Sequence, residues 1–471
     1  MKRLFLLIFI LTSALLFAET DKPEENSKSE APVDRQRQVL LYGIDSEVLD
    51  VLSSLQSEGV DTYNPLLKEL LGEIRNPDIR SKIFQLWEIT KWEDGVESAE
   101  NELRKVLNDD LYDVAVIQAA AYYLAQSSDK ADIHLLAELS EARDSRIAAT
   151  AVRSIGKIAE KSSIPESEVE KVGEPLLQKF LKEDAYEEDE LTAALIVTLG
   201  KLKYTPSADA LLAVAEDEGS PGGHRRFACV SVGKIGRPED YESIEQIYFT
   251  SKDANLRAYA LAGIAEFPRD SSDILVQALK RDSFWRIRLT AAEKLGNIPA
   301  GSSAGEKLDE LLRYKASIDP VKQVRMAAMK SLGKRSGTVN DQFLIDYYAD
   351  INRSPELRIA ALDILTENKI KGSVEAVSEI LDKLWVKDSE RFMEFTCRNL
   401  SRSEWDELAP LFERMLDHPN WLIQVYGVRG IRKNGLSKLE ARVQALDNDK
   451  TDGRLVQEIH RGNPAPNDEN Q

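Results

Sequence analysis

Apolar residues recur at helical spacing in a short phrase that returns along most of the chain. In residues 287–297 the apolar positions include Ile287, Ala291 and Leu295, each four residues after the last. Residues at that spacing share one face of an α-helix, so the phrase predicts an amphipathic helix with one apolar face. It occurs eleven times, at residues 79–89, 116–126, 148–158, 191–201, 224–234, 256–266, 287–297, 324–334, 357–367, 392–402 and 423–433.

One variable position near the start of the phrase, usually occupied by Arg and called the marker position here, fixes the period of the recurrence. Most neighbouring markers are about 31 to 37 residues apart, enough for two helices of three to four turns and two short connections. The longest step, from Ala148 to Thr192, predicts an inserted loop. No run alternates long enough to indicate a strand, so we predict an all-α chain. The markers are Arg80, Ile117, Ala148, Thr192, Arg225, Arg257, Arg288, Arg325, Arg358, Met393 and Gln424.

The turn before each phrase is rich in Asp, Ser, Asn or Pro, which favour helix starts. The turn residues, the Arg marker, the central Ala and the final Leu-Gly together resemble HEAT-repeat proteins. The resemblance covers roughly residues 39–440 and is strongest for the short-period kind also found in bacterial phycobilisome-lyase-like chains. It implies an α-solenoid of about 11 helical-hairpin repeats. The Gly near the end of several copies, such as Gly200 and Gly233, suits either a crowded helix contact or a helix terminus.

The chain ends differ in character from the repeats. Residues 1–18 combine Lys2 and Arg3 with an apolar run and predict a signal peptide, with an uncleaved anchor as the alternative. Residues 19–36 predict a disordered linker, 37–460 the solenoid and 461–471 a disordered tail. We therefore expect an extracytoplasmic protein, with the periplasm favoured over full secretion.

The overall charge narrows the choice of partner. The formal net charge is −19, so the surface repels phosphate backbones and anionic membranes. We expect no nucleic-acid partner, no membrane segment after signal cleavage, and a monomer that binds a protein or peptide.

The two cysteines, Cys229 and Cys397, stand four residues after their markers, five repeats apart. At about 8–10 Å per helix layer they should lie roughly 40–50 Å from each other. A disulfide requires Cα atoms within about 7 Å. The spacing therefore predicts two unpaired, buried thiols.

Catalytic chemistry has little support in the sequence. The four histidines are scattered at His134, His224, His418 and His460, and none precedes a Glu, as it does in the His-Glu pairs of one HEAT-repeat enzyme family, the deoxyhypusine hydroxylases. The acidic segment 182–190 lacks the Gly of a calcium loop, which favours a solvated loop over a cation site. We predict no catalytic residue, no cofactor and no metal, hence a non-enzymatic scaffold or adaptor. The alternative is a lyase-like HEAT-repeat enzyme acting on a chromophore or a protein side chain.

Two rows of cations follow the repeat. We expect the Arg markers to pair with acidic residues of the preceding turns, such as Asp253, Asp319 and Glu356, and ligand binding is the alternative. A second row lies nine residues after the marker, where a cation either complements a helix C-terminus or forms a basic stripe for an acidic partner. This row consists of Lys157, Lys201, Lys234, Lys334, Arg402 and Lys433.

The partner surface is expected in the C-terminal half, between Asp319 and Lys433. Two tryptophans there, Trp385 and Trp405, fall outside the core positions and are expected to be partly exposed. The candidate partner-binding residues are Trp385, Trp405, Lys334, Arg402 and Lys433.

Overall fold

The computed structural model of the protein describes residues 32–58, 61–127, 133–162, 164–182, 189–268, 270–298, 303–385 and 390–460. The predicted signal peptide, the predicted linker up to residue 31, the tail 461–471 and most of the acidic segment 182–190 lie outside these residues.

The described residues form 26 α-helices, joined by short turns and 3₁₀ segments, and contain no β-strand. In chain order they are α1 (Pro32–Tyr42), α2 (Asp45–Glu58), α3 (Asn64–Glu73), α4 (Pro77–Thr90), α5 (Val96–Leu107), α6 (Val114–Ser127), α7 (Ile133–Leu139), α8 (Ser145–Lys161), α9 (Glu166–Phe180), α10 (Glu190–Lys201), α11 (Ala208–Glu216), α12 (Gly222–Ile235), α13 (Tyr241–Thr250), α14 (Ala254–Ile264), α15 (Ser272–Arg281), α16 (Trp285–Leu295), α17 (Ser303–Ile318), α18 (Lys322–Arg335), α19 (Thr338–Ala349), α20 (Pro355–Glu367), α21 (Ser373–Trp385), α22 (Glu390–Leu400), α23 (Ala409–Leu416), α24 (Trp421–Lys433), α25 (Glu440–Gln444) and α26 (Gly453–His460).

The helices pack as successive antiparallel pairs, so the predicted all-α solenoid is confirmed. From α3 to α24 each odd-numbered first helix packs on the even-numbered second helix that follows it, and all eleven phrases fall on second helices. The total number of repeats stays a prediction, because α1–α2 and α25–α26 lie outside the phrases. Neighbouring second helices pack closely and neighbouring first helices sparsely, so the stack curves towards the second helices, which form the concave layer.

The apolar face predicted from the phrase is the contact surface of the second helices. Ile287, Ala291 and Leu295 are all fully buried. Burial of each large aliphatic side chain contributes about 2 kcal/mol to folding. The final Gly serves close packing: a Cβ at Gly233 would collide with the backbone of Gly263 on the next second helix. The crowded-contact interpretation of this Gly therefore holds for α12 and α14.

Side chains from the turns begin several second helices, as the sequence predicted. Asp253 accepts a hydrogen bond from the backbone N–H of Asn255 at the start of α14, and Asp189 accepts two at the start of α10. Such a cap satisfies amide groups that have no partner within the helix and stabilises it by about 1 kcal/mol.

The first helix begins earlier than predicted. Helix α1 starts at Pro32, inside the segment 19–36 that was predicted to be a disordered linker. Proline favours the first turn of a helix because its backbone nitrogen has no hydrogen to leave unpaired. The segment is also tied to the solenoid, since the Tyr63 hydroxyl donates to Oε1 of Gln36 at 3.0 Å and Leu40 is buried.

Candidate functional site

The marker side chains bind the backbone ends of the first helices. Arg358 Nε donates to the carbonyl oxygen of Tyr348 at 2.7 Å, and Arg225 Nε donates to that of Ala215 at 3.2 Å. The last carbonyls of an α-helix lack partners within it. Each marker that makes this contact therefore joins the two helices of one pair and is not left for a ligand. The same contact is made by Arg80 to Leu71 and by Gln424 to Leu416.

The expected pairing of markers with acidic residues of their own preceding turns is wrong. Arg257 donates to the backbone oxygen of Ser251, while Asp253 caps α14 and lies 3.9 Å from Arg226. Glu356 is exposed at the start of α20. Backbone carbonyls attract the guanidinium groups here because they are fixed at the helix end, whereas a turn carboxylate is drawn to the amide groups of the next helix.

Asp319 is the exception, and it pairs with the marker of the preceding repeat. Its two carboxylate oxygens accept hydrogen bonds from Arg288, and its Oδ1 also accepts one from the Val321 N–H at 3.0 Å. Burial alone would raise the pKa of Asp319, but the bonds from Arg288 and Val321 outweigh burial and hold this pKa below 3.8.

The second cation row is largely neutralised by carboxylates of neighbouring second helices. Glu160 lies 3.0 Å from Lys201 Nζ and 3.4 Å from Lys234 Nζ, so one carboxylate serves two repeats. Lys433 Nζ lies 3.1 Å from Glu404, and Lys334 donates to Asn297 at 3.3 Å. The row is therefore a series of short polar links along the concave layer and not a continuous basic stripe.

Trp405 is a core residue, so its expected exposure is wrong. Only 4 % of its surface is exposed. It stands twelve residues after its marker, in the turn that leads to the next first helix. Other copies place apolar residues at the same position, where the chain turns back over the helix end, namely Trp92, Tyr204, Ile370 and Leu436.

That turn has a common geometry which explains the apolar position. In four copies the preceding residue has left-handed backbone, and the next amide donates back to the helix; these residues are Lys91, Lys203, Lys369 and Gly435. A helix end of this type brings the following side chain onto the helix core. Trp92, for example, packs on Trp87 with ring centroids 4.9 Å apart.

Trp385 is half-buried at the end of α21, in the layer of first helices. The His418 ring meets it edge to face at 4.6 Å between centroids, and the Arg414 guanidinium carbon lies 4.6 Å from its ring centre. It therefore packs against the neighbouring first helix α23, on the layer opposite to the cation row.

A groove of about 680 Å³ opens on the concave layer between α20 and α22. Phe395 contributes an exposed ring, with 39 % of its surface accessible, and Ile359 faces it from α20. The polar lining consists of Asp363, Thr366, Glu367, Lys369, Arg398, Asn399, Arg402, Ser403 and Glu404.

The charged groups of this α20–α22 groove are unequally satisfied. Asp363 accepts a hydrogen bond from Asn399, and Glu404 pairs with Lys433. Arg398 and Arg402 form no ion pair with any residue in the described ranges. Two guanidinium groups about one helical turn apart are therefore available beside an exposed aromatic ring.

The surroundings of the groove are less acidic than the chain. Residues 390–442 contain nine Lys and Arg against eight Asp and Glu, whereas the whole chain carries −19. The effect of the nearby cations is seen at the buried Tyr426. Burial and Glu394 raise the pKa of its phenol, and three guanidinium groups act to lower this pKa. These belong to Arg398, Arg402 and Arg429.

The structure brings only part of the predicted set together. Arg402 lines the groove and Lys433 borders it through Glu404, whereas Lys334 lies outside it on α18, in the pair before α20. Phe395 and Arg398 are the groove residues that the sequence analysis missed. They stand two and five residues after the marker Met393, at solvent-facing positions of the phrase.

A second groove, between α3 and α5, differs in charge. It has a volume of about 730 Å³ and is lined by five carboxylates and a single lysine, Lys68, which donates to the backbone of Asp94 at 3.1 Å. An acidic cluster alone does not define a ligand, so the α20–α22 groove is the better candidate site.

The cysteines and the potential metal-binding side chains form no reactive or metal-binding site in the described residues. Cys229 and Cys397 are both free and buried, as predicted, and burial raises the pKa of each thiol to about 12. The described residues contain no group of three His, Cys, Asp or Glu side chains placed to hold a metal ion. None of the helices described has the length and apolar character needed to cross a bilayer.

Comparison with known proteins identifies the family. Residues 40–461 match the family described as spirochaete HEAT repeat protein, and the chain belongs to this family. No curated protein matches the chain.

Solved structures with similar backbones are distant. The karyopherin Kap121p bound to Nup53p is 13% identical, over 90% of this chain and 52% of that one, with a TM-score of 0.37. Human deoxyhypusine hydroxylase in complex with glycerol is 13% identical, over 64% of this chain and 96% of that one, with a TM-score of 0.26. The chain thus spans about half the length of the karyopherin.

Proposed function

We propose that this protein is a non-enzymatic scaffold that binds a protein or peptide partner on its concave layer, outside the cytoplasm. The observation that carries the proposal is the α20–α22 groove, where an exposed ring lies beside two solvent-facing arginines that have no ion pair with any described residue. Solenoids of this kind present extended concave surfaces suited to such binding.

The groove favours a polypeptide over a small metabolite. Its lining combines cationic, amide and apolar side chains from two neighbouring helices. A peptide offers backbone and side-chain groups spaced to meet all three kinds. The negative charge of the chain as a whole argues against a nucleic-acid partner.

The location outside the cytoplasm is supported by residues 1–18, where Lys2 and Arg3 precede an apolar run. Fusing these residues to a reporter enzyme that is active only after export tests it. We expect activity, and we expect replacement of four of the leucines and isoleucines by Asp to abolish it.

Site-specific photo-crosslinking tests the binding role. A benzophenone side chain is placed at Phe395 in the groove or, as the control, at Phe249, which is 65% exposed on a first helix. We expect a defined cross-linked product in cells from position 395 and none from 249. Equal or absent products at both positions would contradict a partner in this groove.

A further inference from the structure

The α20–α22 groove has more free cationic donors than free carboxylates. Glu404 is neutralised by Lys433, whereas Asp363 keeps its charge because its partner Asn399 is neutral, so Asp363 and Glu367 are the carboxylates without an ion pair in the described lining. Opposing them are the three cations Arg398, Arg402 and Lys369. The binding capacity that remains is therefore for negative charge.

The two arginines also define a spacing. Arg398 lies in the last turn of α22, and Arg402 follows in the turn held by the hydrogen bond from its own N–H to the Asn399 carbonyl at 3.0 Å. Their backbones are separated by about 6 Å along the helix direction, at 1.5 Å per residue. An extended peptide advances about 6.6 Å over two residues. Acidic residues at alternate positions would each meet one guanidinium group.

Two apolar residues of the groove define what else the bound segment must contain. Phe395 lies one turn before Arg398 on the same face of α22, and Ile359 lies opposite on α20. An apolar side chain of the peptide would cover the exposed ring, and burial of such a contact favours association.

We propose that this groove binds an extended acidic segment of a partner protein, in which carboxylates at alternate positions meet Arg398 and Arg402 and an apolar side chain two residues from the nearer carboxylate, on the same face of the peptide, covers Phe395. This inference rests on the proposed function and names the chemical class of its partner.

The repeat supplies a matched control for the arginines. Lys330 and Lys334 on α18 stand five and nine residues after their marker, as Arg398 and Arg402 do, and both are exposed. Replacing either pair by Glu changes the net charge by the same amount. Only the Arg398→Glu, Arg402→Glu variant alters the groove.

The experiment measures fluorescence anisotropy of a labelled Phe-Ser-Glu-Ser-Glu peptide, whose Phe and Glu side chains share one face when extended, with the full chain. We expect binding that weakens with salt and falls roughly tenfold or more in Arg398→Glu, Arg402→Glu. Lys330→Glu, Lys334→Glu should stay within roughly twofold, and circular dichroism should show both variants folded. A Lys-for-Glu peptide should not bind.

Three outcomes would overturn the assignment. One is equal peptide affinity in the two variants, and another is no binding of the acidic peptide. The third is a large gain in affinity on deleting residues 461–471, which would assign the groove to the chain's own tail. If Phe395 still cross-links a partner in cells in any of these cases, the scaffold role stands and only the acidic class fails; if it does not, both fail.

Discussion

Arg288 and Asp319 form a two-pronged ion pair that joins successive repeats. Arg288 Nε lies 2.9 Å from Oδ2, and its Nη2 lies 2.9 Å from Oδ1. Arg288 also donates from Nη1 to the backbone of Asp282 at 3.0 Å, so one side chain ties its own first helix to the turn of the next pair. Both side chains are buried, which makes the pair costly to break from one side.

Substitution of Asp319 by Ala should therefore destabilise the solenoid by about 3 kcal/mol, because it leaves the Arg288 guanidinium buried without its counter-charge. Urea unfolding measures this. The control is Asp350→Ala, which removes a more exposed partner of Arg353 at 3.3 Å and should cost less than about 1 kcal/mol. A similar loss in both variants would show that the Arg288–Asp319 pair has no special weight.

The same pair predicts a pH dependence. The pKa of Asp319 in the folded protein lies below 3.8, so the folded state binds its proton less readily than the unfolded state. Its contribution is fully present above the unfolded pKa and is lost as pH falls through the folded pKa. The stability difference between wild type and Asp319→Ala should be constant near neutrality and shrink below about pH 4. Urea midpoints across this range measure it, and a difference that grew on acidification would contradict the assignment.

Glycine substitutions should have opposite effects in two helices. Gly233→Ala should destabilise by about 1–3 kcal/mol, because the added Cβ collides with Gly263 on the next second helix. Gly72→Ala meets nothing within 4 Å and should stabilise by up to about 1 kcal/mol through helix propensity alone. Thermal unfolding distinguishes them, and stabilisation by both would mean that second helices are not closely packed at Gly233.

Substitution of Trp405 should destabilise the protein more than substitution of Trp385. Trp405→Ala empties a core position and should cost about 3–5 kcal/mol. Trp385→Ala removes a half-buried ring and its stacking on Arg414 and should cost nearer 1 kcal/mol. Urea unfolding of the two variants provides the comparison. If the costs were equal, the distinction between the core and surface positions would be wrong.

The repeat period was enough to predict the fold, because it places each apolar stripe on a helix that must pack against its neighbours. The partners of the Arg markers were not predictable in the same way. Their acceptors, such as the Tyr348 carbonyl, are backbone groups, which leave no mark in the side-chain pattern. From the sequence, the turn carboxylates were equally suitable acceptors. In the structure they bind the amide groups at the start of the next helix instead, as Asp253 does.

The groove could not be predicted from the repeated phrase, because it depends on which charged side chains pair with each other. The sequence identified Arg402 by its position, but not that Glu404 would be engaged by Lys433 and leave Arg402 without an ion pair in the described residues. For Trp405 a signal did exist. Tyr204 and Ile370 are apolar at the same distance after their markers, and this regularity would have placed Trp405 in the core.

The two cysteines should be unreactive in the folded protein. Burial raises the pKa of both Cys229 and Cys397 to about 12, so almost no thiolate forms at neutral pH. We expect no labelling by a maleimide in native buffer, two labels per chain in urea, and no intramolecular disulfide by mass analysis under non-reducing conditions. Rapid labelling of the native protein would mean that the second helices α12 or α22 open readily. A disulfide between Cys229 and Cys397 would be incompatible with their separation by five repeats, and so with the solenoid itself.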